Sequence, residues 1–381
     1  MKKITSLILV LCMLMSLVAC GVAEPAAEAT TAVVAETEAA AEAAPRERTI
    51  VDLCGNEVTL PAEINSVAIA SVWPLASVYI MAYGTDKLVG LAPEILSSAN
   101  NSVLLQIAPD VTDICSDWTL NSVINAEELA ELNPDVVLYS SGIPEDYEIC
   151  QQLGIPAVGF ALDCDGYNAV DTINTWIELL EEVMGEEITN PEYVQYGQDM
   201  QAFVAERLEG LTEEEKPEVM VIHRYGENTV GVPGGNSWAD YWITASGGIN
   251  VAADLTGTNN VGIEQVYEWN PDKIMITNFS DAMPEDIYNN TLCSSDWSGL
   301  SVVENESVHK IPHGTYRWYV TCADSPLMLL WMAMQNHPTR FEDVDFVQTM
   351  KDFYTQFHGI ELTDEDVQSI LHPSSEIGEG V

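Results

Sequence analysis

The sequence EELAELNPDVVL at residues 127–138 returns as EQVYEWNPDKIM at residues 264–275. When the two copies are aligned, Glu127 falls on Glu264 and the apolar positions and the Asn-Pro-Asp triplets coincide. Each copy has the pattern of a short amphipathic helix followed at once by an apolar strand. The alternative is that Asn-Pro-Asp is a common helix-to-strand turn that recurs by chance. The matching upstream positions favour a true repeat.

The proline explains the change of structure inside each copy. Pro134 and Pro271 cannot donate a backbone hydrogen bond, and each disfavours the helical conformation of the asparagine before it. The apolar run that follows has the composition of a buried parallel strand. Because solenoid repeats recur every 20–50 residues or so, two copies this far apart indicate two similar α/β lobes.

Composition limits the classes of partner. The chain has 381 residues, with 13 Lys and Arg against 60 Asp and Glu, and a net charge of −47. Such a charge argues against nucleic acid or an anionic membrane surface as a direct partner. The length is typical of two domains. We expect no cofactor and a monomer.

The first residues have the pattern of a bacterial lipoprotein signal. Lys2 and Lys3 precede an apolar stretch at 8–18 that is too short to span a bilayer. It ends in Leu-Val-Ala-Cys, which resembles a cleavage site before Cys20. The alternative is an ordinary secretory signal. We therefore predict a signal peptide at residues 1–20 and a membrane anchor through lipidated Cys20.

Residues 21–45 are rich in Ala, Glu and Thr and contain no aromatic side chain. Such a composition cannot bury enough surface to order the chain. We predict a disordered tether that displays the domains outside the cytoplasmic membrane.

Six cysteines remain after Cys20. Their even number in an exported protein permits disulfides, although spacing does not give the pairing. The sequence contains no CxxC pair, and no histidine lies at metal-site spacing from these cysteines. A structural zinc site is therefore not expected. These cysteines are Cys54, Cys115, Cys150, Cys164, Cys293 and Cys322.

From residue 46 onward, apolar strands alternate with helices, which is typical of parallel, doubly wound sheets. A helix at about 191–210, roughly 30 Å long, would connect the two halves. The pattern also predicts a Gly-rich loop at 231–236. The predicted strands are 48–52, 58–60, 66–70, 87–90, 136–139, 157–160, 219–223, 273–277 and 308–311.

Several of these motifs resemble one family. RTIVD at 48–52, DKLVG at 86–90, ASGGIN at 245–250 and the two Asn-Pro-Asp repeats are similar to the metal-chelate-binding proteins of ABC importers. This periplasmic-binding-protein family serves ferric siderophores, haem and cobalamin. The resemblance runs from about residue 46 to 372. Its motifs are specific for fold and transport role and say little about the ligand.

The resemblance implies a class III periplasmic-binding-protein fold, in which two Rossmann-like lobes are joined by one long helix and hold ligand between them. It also implies delivery to an ABC importer permease and its ATPase. In this family a glutamate on each lobe docks onto the permease, and we predict Glu94 for the first lobe. The expected boundaries are an N-terminal lobe at 46–190, a bridging helix at 191–212 and a C-terminal lobe at 213–381.

Ligand-binding residues are expected in loops after the strands, because open α/β sheets bind ligands beyond the carboxyl ends of their strands. Aromatic side chains there provide apolar contact, and arginine recognises carboxylate, catecholate or an oxyanion. An ion pair would be the structural alternative for each arginine, and core packing for each tryptophan. His223 and His313 are weaker candidates for metal or haem ligation. The predicted ligand-binding residues are Trp73, Trp118, Arg224, Tyr225, Tyr316, Arg317 and Trp318.

Three functions fit these observations. The first is an extracytoplasmic, lipid-anchored protein that captures a metal chelate, a ferric siderophore first and haem or a corrinoid next. The second is a molybdate or tungstate oxyanion binder on the same fold. The third is a secreted hydrolase such as a glycosidase, although the sequence contains no G-x-S-x-G, HExxH or P-loop motif. We therefore expect a binding protein without enzymatic activity.

Overall fold

A computed structural model describes residues 47–120 and 122–378 of the chain. The predicted signal peptide at 1–20, which includes Cys20, and the predicted tether at 21–45 lie outside the described residues and stay predictions. Residues 45–381 group into one compact unit. We therefore expect this unit to fold without the preceding residues.

Fifteen strands occur in the described part of the chain. They are β1 (Arg48–Val51), β2 (Glu57–Leu60), β3 (Val67–Ile69), β4 (Leu88–Leu91), β5 (Thr119–Leu120), β6 (Val123–Ile124), β7 (Val136–Ser140), β8 (Ala157–Phe160), β9 (Glu218–Ile222), β10 (Arg224–Tyr225), β11 (Val230–Pro233), β12 (Ile249–Asn250), β13 (Thr258–Val261), β14 (Lys273–Ile276) and β15 (Val308–Lys310).

Two four-stranded parallel sheets form the framework. The first has the order β4-β3-β7-β8 and the second the order β12-β9-β14-β15, and every neighbouring pair in both sheets is parallel. We call the part of the chain that contains the first sheet the first lobe, and the part that contains the second sheet the second lobe. The predicted fold class, two parallel α/β lobes, is confirmed.

Fourteen α-helices surround these sheets in the described residues. They are α1 (Leu75–Tyr83), α2 (Pro93–Ala99), α3 (Leu104–Ile107), α4 (Ala126–Leu132), α5 (Pro144–Leu153), α6 (Ala169–Met184), α7 (Glu192–Arg207), α8 (Trp238–Ala245), α9 (Ile263–Trp269), α10 (Pro284–Tyr288), α11 (Ser301–Glu304), α12 (Ser325–Asn336), α13 (Phe346–Phe353) and α14 (Asp364–Leu371).

Helix α7 joins the two lobes in sequence. It has 16 residues, which corresponds to about 24 Å at 1.5 Å per residue. The sequence predicted a helix a few residues longer, to about residue 210, whereas α7 ends at Arg207. It packs against α6 and α12, so its apolar side is covered by both neighbouring parts of the chain.

The two repeat copies have the same structure. α4 ends at Leu132 and α9 at Trp269, and the asparagine that caps each helix, Asn133 or Asn270, adopts the left-handed conformation, with φ of 46° and 41°. Asparagine tolerates this conformation better than most residues, and the following proline prevents the helix from continuing. Each turn leads directly into the central part of a sheet, β7 in one case and β14 in the other.

The aspartate of each triplet connects two strands. The Oδ2 atom of Asp135 accepts hydrogen bonds from the backbone N–H groups of Asn65 at 2.7 Å and Ser66 at 2.9 Å, just before β3. The Oδ2 atom of Asp272 accepts one from Glu218 at 2.9 Å, at the start of β9. The triplet therefore aligns the repeat strand with its neighbour in each sheet.

The predicted Gly-rich loop at 231–236 is wrong in its first half. β11 is a buried strand that pairs antiparallel with β10 and β13. Gly234, which follows this strand, permits a close approach of two chain segments, since a Cβ atom there would collide with the backbone of Leu255. Periodicity did not reveal this strand, because small residues carry no hydrophobic pattern.

Five of the six cysteines after residue 46 carry free thiols: Cys54, Cys115, Cys150, Cys293 and Cys322. The Sγ atom of Cys164 donates a hydrogen bond to Ala161 O at 3.4 Å. Packing and hydrogen bonds therefore hold this fold together.

The aspartate contacts lead to a stability prediction. We expect Asp135→Ala to lower the free energy of unfolding by about 2 kcal/mol and Asp272→Ala by about 1 kcal/mol, since the first loses two charge-assisted hydrogen bonds and the second one. Chemical denaturation of residues 45–381 would measure both values. Equal losses, or none for Asp135→Ala, would contradict this role of the triplet.

Candidate functional site

The carboxyl ends of the second sheet carry a dense group of aromatic and cationic side chains. His223 follows β9, Phe279 follows β14, and the segment at 311–319 follows β15. Parallel strands place these loops at one edge of the sheet, as expected for a ligand site in an open α/β fold.

Five rings form a continuous surface at this edge, which we call the aromatic wall. The ring centroids of His223 and Phe279 are 5.1 Å apart, those of His223 and Tyr319 are 5.5 Å apart, and those of Trp238 and Tyr319 are 6.3 Å apart. Tyr167, from the first lobe, meets Trp238 edge-on at 5.6 Å. The aromatic wall therefore lies between the lobes.

Arg317 adjoins the aromatic wall. Its guanidinium carbon lies 4.9 Å from the centroid of the Phe279 ring and 5.7 Å from that of Tyr316. Nε donates to Asn278 O at 2.9 Å and Nη2 to Ile377 O at 3.1 Å. The side chain is only 4% exposed. No carboxylate of the described residues lies within ion-pair distance of it.

A buried lysine fixes the loop that carries Phe279. The Nζ atom of Lys310 donates to the carbonyl oxygens of Thr277, Ser280 and Ala282 at 3.0, 2.7 and 2.8 Å. All three ammonium donors are thus used. Burial lowers the pKa of Lys310 to about 8, so the ammonium form persists at neutral pH.

A buried carboxylate fixes the loop that carries Arg317. The Oδ2 atom of Asp324 accepts hydrogen bonds from Thr315 N at 2.6 Å, Thr315 Oγ1 at 2.7 Å and Trp318 Nε1 at 3.0 Å. Gly314 lies so close to this carboxylate that a Cβ atom there would collide with it. The loop therefore needs both the glycine and the aspartate.

Where this loop meets α2 of the first lobe, four side chains form what we call the polar cluster: Glu94, Ser98, His313 and Tyr316. The Nε2 atom of His313 lies 3.3 Å from the carbonyl oxygen of Ser98, which joins the second lobe to α2 of the first. The buried atoms Glu94 Oε2, Ser98 Oγ, His313 Nδ1 and Tyr316 Oη make no hydrogen bond of normal geometry. Buried polar atoms are rarely left in this state unless a solvent molecule or ligand completes them.

Two charged side chains, Arg317 and Glu94, affect the pKa of Tyr316 in the polar cluster. Burial raises the pKa of Tyr316, the Arg317 guanidinium lowers it, and the Glu94 carboxylate adds a further increase. The Tyr316 phenol is therefore within electrostatic reach of both charged groups. Arg317 lies beside Phe279 of the aromatic wall and Tyr316 of the polar cluster. We call Arg317 and these two groups together the inter-lobe site.

Both histidines of the inter-lobe site are neutral at pH 7. Burial, with a smaller effect from Arg224, lowers the pKa of His223 to about 4. Burial and the charge of Arg317 lower the pKa of His313 to about 3. Neither side chain contributes positive charge for a ligand at neutral pH.

Two of the predicted binding tryptophans belong to the core. Trp118 is 0% exposed and packs beside Gly90 and Leu132 in the first lobe. Trp318 is equally buried, with its Nε1 donating to Asp324 and its ring against Phe346. Their apolar surface is covered by the protein itself, so we leave both out of the proposed site.

The other predicted residues are distributed around the edge of the sheets. Trp73 is half-buried at the carboxyl end of β3, with a buried Nε1 that has no partner. Tyr316 and Arg317 lie in the inter-lobe site. Arg224 and Tyr225 form β10 and are exposed, and a hydrogen bond from Tyr225 to Asp281 raises the pKa of this phenol to about 12.

Sequence reasoning missed most of the aromatic wall. Tyr167, Trp238, Phe279 and Tyr319 were not among the predicted site residues. Phe279 could have been found by its position just after β14, the same criterion that identified His223. Tyr167 and Trp238 follow no predicted strand directly, and only the contact between the lobes connects them.

The described residues were also compared with what a metal site and a membrane-spanning helix require. Among residues 47–120 and 122–378, no three His, Cys, Asp or Glu side chains come together in a way that could hold a metal ion. In the same part of the chain, no helix has both the length and the apolar character needed to cross a membrane.

A family model described as "Periplasmic binding protein" matches residues 76–312, more than half of the chain. The chain belongs to the periplasmic binding protein family. The resemblance to solute-binding proteins of ABC transporters is thus confirmed at the level of the family. These proteins serve transport and not catalysis, and membership implies an extracytoplasmic location.

Individual relatives differ in what they bind. The molybdate-binding protein MolA of Haemophilus influenzae is 25% identical over 334 residues, which cover 82% of this chain and 91% of MolA. A periplasmic solute binding protein of Veillonella parvula is 32% identical, with a TM-score of 0.75, over 87% of this chain and 98% of its own. Helicobacter pylori CeuE, solved in a Ni-His complex, has 22% identity, a TM-score of 0.66, and coverage of 85% and 99%, which shows the shared fold alone.

The low pKa of His313 predicts a loss of stability in acid. Because the unfolded side chain has a pKa of 6.5 and the folded one about 3, the unfolded state binds an extra proton as pH falls below 6.5. The free energy of unfolding should fall by up to about 1.4 kcal/mol per pH unit from this residue. Urea denaturation between pH 6 and 4 should give a shallower slope for His313→Gln. His372→Gln, at an exposed position, is the control, and coincident slopes for His313→Gln and the wild type would refute the prediction.

Proposed function

We propose that the protein captures an anionic metal chelate, a ferric siderophore first, in the inter-lobe site and delivers it to an ABC importer permease. Haem or a corrinoid is the next ligand in this class. The observation that carries the proposal is Arg317, a buried guanidinium between the lobes that has backbone partners and no carboxylate. Anchoring through lipidated Cys20 would keep the protein beside its permease.

The rarity of cations strengthens this argument. Of the 13 Lys and Arg, Lys2, Lys3 and Arg46 lie outside the described residues. Five of the other ten form ion pairs with carboxylates: Lys87, Arg207, Lys216, Arg340 and Lys351. Arg224 and Arg317, which form no such pair, follow β9 and β15, whereas Lys310 donates its protons to three backbone carbonyl groups. In a chain with 60 acidic residues, two arginines without a carboxylate partner after these strands favour an anionic ligand.

The aromatic wall favours a ligand with apolar or aromatic surface. Tyr167, Trp238, His223 and Phe279 are each partly exposed, so their faces are open to a bound molecule. Rings of this kind supply large contact areas, and a guanidinium recognises a planar oxygen pair such as a catecholate. A metal chelate with an organic shell uses both features.

A molybdate or tungstate oxyanion is the second candidate. Two tryptophans expected around a bulky chelate, Trp118 and Trp318, are buried in the core, which leaves less aromatic surface than the sequence suggested. Arg317 is deeply buried, as suits a small anion, and the relative MolA is a molybdate-binding protein.

Thermal unfolding of residues 45–381 with a ligand panel tests the function. A ligand at a hundred times its dissociation constant stabilises the folded state by about 2.7 kcal/mol. The panel contains ferric catecholates and hydroxamates, haem, cobinamide, molybdate and tungstate. We expect a raised midpoint with one class, and Arg317→Gln should weaken its binding about 100-fold, since a buried charged partner is lost.

Arg207→Gln is the matched control, because Arg207 is a partly exposed arginine at the end of α7 that already forms an ion pair with Asp343. If Arg317→Gln folds poorly, Arg317→Lys replaces it as the test variant. Because Arg317→Lys keeps the charge, we expect it to bind the ligand with intermediate affinity. No shift with any solute would reject the proposed function. A shift that survives Arg317→Gln would reject the role of Arg317.

The permease-docking residue predicted from the sequence, Glu94, is a poor candidate. It is half-buried, with Oε1 accepting a hydrogen bond from Ser122 Oγ at 2.7 Å and Oε2 buried. We propose Glu127 and Glu264 instead. Both are exposed and stand in the first turn of the equivalent helices α4 and α9, so each lobe presents one carboxylate at the same position of its repeat.

Charge reversal of these glutamates tests the docking surface. We expect Glu127→Lys and Glu264→Lys to retain solute binding but to reduce uptake through the permease at least about tenfold in combination, since exposed charge pairs steer association. Glu128→Lys, on the exposed surface of α4, is the control. Undiminished uptake by the double variant would rule out this surface.

A further inference from the structure

Glu94 is a carboxylate in a site that otherwise suits an anion. It lies in α2, four residues before Ser98, and side chains at this spacing share one face of a helix. The carbonyl oxygen of Ser98 is 3.3 Å from His313 Nε2. The C-terminal end of α2 therefore lies against the loop that carries Tyr316 and Arg317.

One oxygen of Glu94 has a partner and the other does not. Oε1 accepts from Ser122 Oγ at 2.7 Å, while Oε2 is buried without a hydrogen bond. A carboxylate can only accept hydrogen bonds, and an uncompensated buried oxygen costs about 1–3 kcal/mol or more. Two other unpartnered atoms of the polar cluster, Ser98 Oγ and Tyr316 Oη, belong to side chains that are 1% and 2% exposed.

We propose that Glu94 sets the ligand class by requiring a hydrogen-bond donor next to the anionic group that faces Arg317. This inference rests on the proposed function. A ligand that carries a hydroxyl, an amide N–H or a proton on its oxyanion satisfies Glu94 Oε2. A fully ionised tetrahedral oxyanion places a second negative charge against this carboxylate and leaves it without a donor.

The same reasoning separates the two candidate ligands. Organic chelators bring hydroxyl or amide donors beside their metal-binding oxygens, whereas molybdate and tungstate carry none at neutral pH. Sites built to hydrogen-bond a ligand group reject analogues that lack it far more strongly than apolar pockets reject an extra or missing methylene. Glu94 would thus favour the chelate over the bare oxyanion.

Four small anions provide the test, with dissociation constants measured by calorimetry on residues 45–381 at pH 6. Phosphate and arsenate carry a proton under these conditions, while sulfate and molybdate do not. We expect the wild type to bind phosphate and arsenate at least about 100-fold more tightly than sulfate and molybdate. Glu94→Gln, which supplies an amide donor in the same shape, should bring sulfate and molybdate to at least equal affinity.

Glu128→Gln is the control, since it removes an exposed carboxylate of the same lobe and should leave the preference unchanged. Glu94→Ala should also abolish the preference, and serves if Glu94→Gln is unstable. Molybdate binding to the wild type as tightly as phosphate, an unchanged ratio in both Glu94 variants, or no binding of any anion would each overturn the inference. A different result would reject the proposed function, namely the absence of any rise in the unfolding midpoint with the ligand panel.

Discussion

The backbone of Ala323 is held from two directions, and the arrangement of the two lobes depends on it. Its N–H donates to Ser77 Oγ in α1 at 3.2 Å, and its carbonyl oxygen accepts from Tyr193 Oη in α7 at 2.7 Å. The next residue, Asp324, holds the loop that carries Arg317. Two consecutive residues therefore connect α1 of the first lobe, helix α7 and the loop that carries Arg317.

The inter-lobe site combines two surfaces with different chemistry. The aromatic wall offers apolar contact beside a guanidinium, whereas the polar cluster offers buried atoms that lack partners. Both are fixed by buried polar groups that are engaged elsewhere, Lys310 with three carbonyl groups and the Oδ2 atom of Asp324 with three donors. Such support limits rearrangement when a ligand binds, because a rotation of either loop would leave a buried charge without its partners.

The fold could be predicted from the sequence because the patterns that specify it are short and local. An Asn-Pro turn and an apolar run specify a helix end and a strand within a dozen residues, and both copies have the expected structure. The site was only partly accessible. Arg317 was predicted from its position after a strand. Trp118 and Trp318 have the same kind of position, and only their burial in the structure distinguishes them from binding residues. Tyr167 and Trp238 meet through the packing of two lobes, which no short pattern encodes.

The five free thiols have a consequence for how the protein reaches its structure. A fold that closes through hydrogen bonds and packing does not need an oxidant, a disulfide isomerase or a particular redox potential. At these five positions, a change from an oxidising to a reducing medium breaks no covalent cross-link.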